Sequence, residues 1–177
     1  MRRGRFLLCA AALAVLAGRG RGDEPAKGKP RIDKRGLAVL ESASRVEVFR
    51  IKPRRDKDAA KQIGGYPILA TGKDQGKEFA AGLTKVLKDE KTWNGMAARC
   101  FNPGVAFRVH GEKGSVDVIV CFACTNFAFT VNDSDGKPAF KSSGAFGPRI
   151  GPLLKLAKKA FPDDKEIQGL KEGGGKE

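Results

Sequence analysis

The stretch VAFRVHGEKGSVDVIVCF, residues 105–122, contains two runs of alternating apolar and polar residues joined by a short loop. Residues 105–110 and 115–122 alternate with the period of two that a β-strand imposes on its side chains. The connecting GEKG is bounded by glycines, which is typical of a hairpin turn. The stretch therefore predicts an antiparallel hairpin, around which the rest of the sheet can be placed.

The register of this hairpin follows if its last and first strand residues, His110 and Ser115, face each other. Arg108 then faces Asp117, so one surface of the hairpin carries an opposed charge pair. The other surface is wholly apolar, as a half-buried strand pair requires. Its pairs are Val109 with Val116, Phe107 with Val118, and Val105 with Val120.

The rest of the chain adds strands and two helices. Strands are predicted over residues 45–51, 66–71, 126–131 and 137–143, and Pro53 favours an edge position for the first of them. Apolar residues recur at intervals of three and four over residues 75–88 and again from Pro148 to Phe161, which predicts two amphipathic helices. The predicted fold class is α+β: an antiparallel β-sheet, a meander of hairpins, with two amphipathic helices packed on one face.

The amino terminus has the pattern of a secretory signal peptide. Three arginines precede the apolar run FLLCAAALAVLA, residues 6–17, and small residues close its end. The run is shorter than the roughly 20 residues that a membrane-spanning helix needs. We predict a signal peptide over residues 1–17 that takes Cys9 with it, a secreted or periplasmic location, and no transmembrane segment in the mature chain.

Composition divides the remainder of the chain into three parts. Residues 18–43 combine glycine, proline and charge at a density that disfavours a packed core, so we predict a disordered basic linker with a short helical turn at 37–42. Residues 44–170 are enough for a single α+β domain. The glycine-rich residues 171–177 are predicted to form a disordered tail.

The charge of the chain favours anionic partners. Lysine and arginine number 34 against 20 acidic residues, a net charge of +14, and removal of three signal-peptide arginines leaves 31 against 20, or +11. The basic residues are scattered among acids, and a single Trp and a single Tyr offer few platforms on which bases could stack. We therefore expect that the protein does not bind nucleic acid. Its expected partner is either an anionic cell-envelope component or a protein.

Three cysteines, Cys100, Cys121 and Cys124, remain after signal removal and could serve four purposes. A redox couple would need the CxxC at the start of a helix, where the thiol pKa is lowered, but a strand follows it here. A zinc site could add His110 to the three thiols, although Phe122 and Ala123 are poor fillers for a zinc knuckle.

The other two possibilities are a disulfide and free buried thiols. In an extended strand residues i and i+3 point to opposite faces, so Cys121 and Cys124 could not bond to each other without a turn at residues 122–123. Extending the hairpin register places Cys100 opposite Thr125, beside Cys124. We therefore favour a disulfide from Cys100 to Cys121 or Cys124.

Enzyme chemistry has little support in this sequence. His110 is its only histidine and lies beside a hairpin loop, where we expect it to face solvent. We predict no catalytic residue, no metal ligand and no cofactor. The predicted function is a non-catalytic binding or cell-envelope-associated domain, with a thiol-dependent redox or zinc-binding protein using Cys121 and Cys124 as the alternative.

Three segments together are similar to an uncharacterised family of small exported bacterial proteins of planctomycete type. They are CFNPGVAFRV (100–109, pattern CF-x-PG-x-AFR), VDVIVCFAC (116–124, pattern VDV-x-x-CF-x-C) and LLKLAKKAFPDDKEIQGL (153–170). The resemblance covers about residues 45–170. It implies a single domain behind a signal peptide and carries no activity, cofactor or catalytic residue with it.

Overall fold

An antiparallel sheet forms the centre of this protein. The structure is a computed structural model, and it describes residues 32–73, 75–93, 95, 99–147 and 150–171. Within these residues the sheet has seven strands in the order β2-β3-β1-β4-β5-β6-β7. The strands are β1 (Arg45–Ile51), β2 (Gln62–Ile63), β3 (Tyr66–Thr71), β4 (Val105–Gly111), β5 (Gly114–Cys121), β6 (Asn126–Asn132) and β7 (Pro138–Ala145).

The predicted hairpin is formed by β4 and β5, and its register is confirmed. His110 pairs with Ser115 and Arg108 with Asp117, and the three apolar pairs follow in step. The meander continues as predicted, because β6 pairs with β5 and β7 pairs with β6. One prediction is wrong: β1 is an inner strand, with β3 on one side and β4 on the other. Pro53 lies beyond the end of β1, so it removes no hydrogen bond from the ladder.

Helices cover one face of the sheet. They are α1 (Lys34–Glu41), α2 (Lys77–Lys88), α3 (Ile150–Ala160) and the short α4 (Lys165–Gln168). The apolar stripes of α2 and α3 join the inward valines and phenylalanines of the strands in one buried cluster. The two predicted helices and the α+β class are therefore confirmed. No helix in the described part of the chain has both the length and the apolar character needed to cross a membrane.

Helix α1 is longer than the short helical turn predicted at residues 37–42, and it is part of the folded domain. We predicted a disordered linker around that turn, over residues 18–43, yet Val39 and Leu40 are each only 1% exposed in the main core. The side chain of Asp33 caps the helix by accepting a hydrogen bond from the backbone N–H of Gly36 at 2.9 Å. The folded domain thus begins by Ile32, because one apolar stripe is enough to dock a short helix. The predicted signal peptide (1–17), most of the linker (18–31) and all but Lys171 of the tail lie outside the described residues.

Candidate binding groove on the open face of the sheet

The sheet face opposite the helices, called the open face below, carries the charged residues of the hairpin. One row crosses five adjacent strands, because each residue is paired in register with the next. The row consists of Glu47, Arg108, Asp117, Thr130 and Lys141. Side chains directly opposite on neighbouring strands lie about 4.5–5.5 Å apart at Cβ, so this row is a continuous polar strip.

The centre of the strip is a closed ion pair. Arg108 donates from Nε to Oδ1 of Asp117 at 2.7 Å and from Nη2 to Oδ2 at 2.9 Å. The amide of Asn132 donates to Oδ2 of Asp117 and to Oγ of Ser115, both at 3.2 Å. The hydrogen bonds to Asp117 raise the pKa of Arg108 above its ordinary value, despite the opposing effect of burial. The carboxylate of Asp117 is only 5% exposed and fully engaged, so it forms part of the framework.

His110 lies beside this pair and is bonded to an acid. Its Nε2 lies 2.6 Å from Oε2 of Glu47, and Arg45 contacts the other carboxylate oxygen of Glu47 at 2.8 Å. Partial burial raises the pKa of Glu47, but the hydrogen bonds from His110 and Arg45 outweigh it, so this pKa lies below its ordinary value of 4.5. The expectation that His110 faces solvent holds only in part, since its side chain is 35% exposed and paired with Glu47.

The hairpin formed by β2 and β3 folds over the part of the open face that belongs to β1, β4 and β5. Ile63 and Tyr66 join Phe49, Ala106 and Ile119 in a second buried cluster. The turn of this hairpin approaches so closely that a Cβ atom at Gly64 would collide with the side chain of Ile119. Gly64 also has a φ of +56°, a conformation that favours glycine. The β2–β3 hairpin therefore forms a wall standing on the sheet.

A groove of about 980 Å³ lies between this wall and the strands β6 and β7. Gln62 of this wall and Arg55 of the loop before β2 line one side of the groove, and its floor includes Arg108, Thr130 and Lys141. The described residues lining it comprise three cations and one acid, Asp117, which Arg108 already neutralises. A groove of this size is within the range of small-ligand sites, and its unbalanced charge suits an anion.

The polar groups of the groove fall into two classes. The groups around Asp117 are satisfied by one another, whereas five lining side chains make no hydrogen bond or ion pair within the described residues. These five are Arg55, Gln62, Thr130, Lys141 and Ser142. The guanidinium of Arg55 does lie 5.2 Å from the centre of the Tyr66 ring, and this contact holds it at the rim. The groove thus combines a fixed floor with free donors.

Cys121 and Cys124 lie at the β5–β6 turn and Cys100 lies ahead of β4, and the observed pairing corrects our prediction. Cys121 and Cys124 form a disulfide with their Cα atoms 5.6 Å apart, and Cys100 is an exposed free thiol. Strand β5 ends at Cys121, and residues 122–125 form a turn. The predicted obstacle to an i, i+3 bond applies only to extended chain, so the turn removes it.

The predicted neighbourhood of Cys100 is nevertheless close to the observed one. Its carbonyl oxygen accepts a hydrogen bond from the side chain of Asn126 at 2.6 Å, and Asn126 pairs with Cys121 in the sheet. Within the described residues, no group of three or more His, Cys, Asp or Glu side chains is arranged to hold a metal ion. His110 is engaged by Glu47 at the other end of the hairpin, so the Cys3His set that we considered is not brought together.

The pairing predicts the result of thiol mapping. Alkylation of the denatured, unreduced protein should label Cys100 and leave Cys121 and Cys124 unlabelled. In a tryptic digest, the peptide that begins at Gly114 holds both bonded cysteines. Mass spectrometry should therefore find this peptide lighter by two hydrogen atoms before reduction than after it. The peptide that ends at Arg108 should carry the label on Cys100. A disulfide-linked pair of these two peptides would restore the pairing predicted from the sequence.

The groove residues Arg55, Thr130 and Lys141 were not singled out from the sequence. Thr130 and Lys141 could have been found by extending the hairpin register to the next two strands, since alternation places them on the face of Asp117. Arg55 follows from no local pattern, because it lies in the loop before β2. Comparisons with protein-family models, with curated proteins and with solved structures found no match for this chain.

Proposed function

We propose that this protein is a non-catalytic binding domain that holds an anionic partner in the groove on the open face of the sheet. The single observation that carries the proposal is the presence of two cations, Arg55 and Lys141, which line one groove without an acidic partner in the described residues. The net charge of +14 gives the whole molecule the sign that attracts such a partner.

The arrangement around the groove supports binding better than catalysis. A catalytic acid or base needs an unengaged proton site within reach of a substrate. Asp117 is bonded to Arg108 and Asn132, and the acid nearest to His110 is already bonded to it. The groups that stay free are hydrogen-bond donors, which can recognise an anion without reacting with it.

The alternative, a thiol-dependent protein using Cys121 and Cys124, has weaker support. Cys121 is fully buried and Cys124 is 6% exposed, so a redox partner has little access to either sulfur. Strand β6, and no helix, follows the CxxC. We propose that this disulfide closes the β5–β6 turn as part of the architecture.

We also propose export of this protein to an oxidising compartment. The signal-peptide pattern of residues 1–17 motivates this, and a disulfide between Cys121 and Cys124 agrees with it because disulfides are rare in reducing compartments. The amino-terminal sequence of the protein purified from its native cells tests the idea. A chain that begins near residue 18 supports export, and an intact Met1 in a cytosolic fraction contradicts it.

The binding proposal predicts where an anion perturbs the protein. Titration with short oligomers of L-glutamate and of galacturonate, followed by backbone amide NMR, should shift the signals of Gly64, Gly65, Thr130 and Lys141 in at least one titration. The shifts should saturate and should weaken at high salt, because exposed charges are screened beyond about 10 Å at 0.1 M ionic strength.

The matched control for this titration is another basic surface of the same molecule. Helix α3 carries Lys155 and Lys159 on its exposed side, away from the groove. Replacing Lys141→Gln should weaken the binding that produces the saturable shifts, and Lys159→Gln should leave it unchanged. Shifts that follow α3, or that never saturate with either oligomer, would show a diffuse surface effect and overturn the proposal.

A further inference from the structure

The chemistry of the free groups in the groove narrows the class of its ligand. Arg55 and Lys141 offer cationic donors, Gln62 offers an amide and Thr130 offers a hydroxyl, and none of the four makes a hydrogen bond or ion pair within the described residues. A ligand that complements this set carries at least one carboxylate and several hydroxyl groups around one body. Neither charge alone nor hydroxyls alone would use all four side chains.

The position of the groove argues against an extended peptide. Peptides commonly bind a sheet by adding a strand at its edge, where backbone N–H and C=O groups are unpaired. The groove floor is instead a sheet face: Asp117 and Thr130 belong to strands that are paired on both sides, and Lys141 lies on the outer strand β7 with its side chain on that face. A ligand on this floor meets side chains only, so it needs hydrogen-bonding groups of its own at short intervals.

The spacing of the donors fits a sugar ring. Thr130 and Lys141 are directly paired on neighbouring strands, so their side chains begin about 4.5–5.5 Å apart. The floor beside them includes the small, half-buried apolar residue Ala128. This places a small apolar surface next to a hydroxyl and a cation, as a face and the rim of a saccharide ring would require.

We infer that the groove binds a carboxylate-bearing saccharide, such as a uronic-acid unit of an acidic polysaccharide. This inference rests on the proposed function and goes beyond it by naming the ligand class. The carboxylate lies against Lys141 and Arg55, and the ring hydroxyls accept from Gln62 and exchange hydrogen bonds with Thr130. Binding involves no covalent step.

Calorimetry with the purified full chain and three probes tests the inference. The probes are a galacturonate oligomer, an L-glutamate oligomer with the same number of carboxylates, and a neutral galactose oligomer of the same length. We expect the galacturonate oligomer to bind about tenfold more tightly than either of the other probes, since charge and hydroxyl recognition each contribute.

Two substitutions separate the two kinds of recognition. Thr130→Val removes a hydroxyl without changing charge or size, and it should weaken galacturonate binding about threefold while leaving glutamate binding unchanged. Lys141→Gln should weaken binding of both anions, and the control Lys159→Gln should weaken neither. Circular dichroism of each variant confirms that it is folded before its affinity is compared.

The outcomes distinguish the ligand class from the general function. Equal or tighter binding of the glutamate oligomer, sensitive to Lys141→Gln, would overturn the saccharide class and leave the anion-binding function standing. Binding of neither anion would overturn both. Equal binding of the neutral galactose oligomer would show that the carboxylate is not recognised, and it would also overturn both.

Discussion

Replacing Phe107 with alanine should lower the free energy of unfolding by about 3–5 kcal/mol. Phe107 is in the central strand β4, is 0% exposed, and pairs with Val48 on one side and Val118 on the other. Its ring belongs to the cluster that joins the sheet to the helices. The substitution removes buried apolar surface and leaves a cavity that the neighbouring strands, held in register, can fill only in part. Urea denaturation followed by circular dichroism measures the loss.

The control for Phe107 is the exposed side chain of Leu69 on β3. Leu69 is 56% exposed, so Leu69→Ala should change the free energy of unfolding by less than about 0.5 kcal/mol. A change of similar size in both variants would show that the assigned core face of the sheet is wrong. An unchanged slope of the free energy against urea concentration would confirm that both variants unfold from the same folded state.

Replacing Asp117 with alanine should cost about 2–4 kcal/mol, because it leaves the guanidinium of Arg108 without its acceptor. Asp117 is 5% exposed and the Arg108 side chain is 29% exposed, so water can solvate the abandoned cation only in part. The partial exposure of Arg108 places the expected loss somewhat below that of a fully buried ion pair. The same urea titration measures it.

A double variant separates the ion pair from its packing. Arg108→Met with Asp117→Leu replaces both partners by apolar groups, and it should recover most of the stability lost in Asp117→Ala. The exposed pair of Lys88 and Glu41 is the control, and Glu41→Gln should cost less than about 0.5 kcal/mol. A double variant no more stable than Asp117→Ala would show that the pair contributes more than a mutual neutralisation of buried charge.

Phe107→Ala and Asp117→Ala also differ in their effect on the proposed site. Phe107 is buried on the helix-covered face and does not line the groove, so a folded Phe107 variant keeps the groove lining intact. Asp117 lies in the floor and holds Arg108 in place beneath the free donors. The satisfied pair gives the groove a fixed floor, and Arg55 and Lys141 remain available above it.

The elements that were predicted well are those in which a local pattern has one good solution. The register of β4 and β5 followed from a short loop, a wholly apolar face and an opposed charge pair, because a slip by one residue would have turned every valine to the other face. Helices α2 and α3 followed from stripes that bury a single face. Helix α1 was predicted only as a short turn at residues 37–42, because the charged segment before it led us to predict a disordered linker around that turn.

The pairing of the cysteines depends on a detail that the local sequence pattern does not fix. The sequence placed Cys100 near Cys124, and Asn126 does tie the backbone of Cys100 to that region. The choice of partner depended on whether the chain after Cys121 stays extended or turns, and a one-residue difference in the end of a strand decides it. A sequence pattern does not fix strand ends to that accuracy.

The α+β class, the hairpin register and the face on which the core lies follow from the amino-acid sequence alone, because side-chain periodicity and burial act over neighbouring residues. The position of the β2–β3 hairpin over the open face, which brings Arg55 and Lys141 to one groove, follows from contacts between distant segments. Two cations so far apart in the chain have no shared local signal. Their common position results from the packing of Gly64 against Ile119, which is a contact between distant segments.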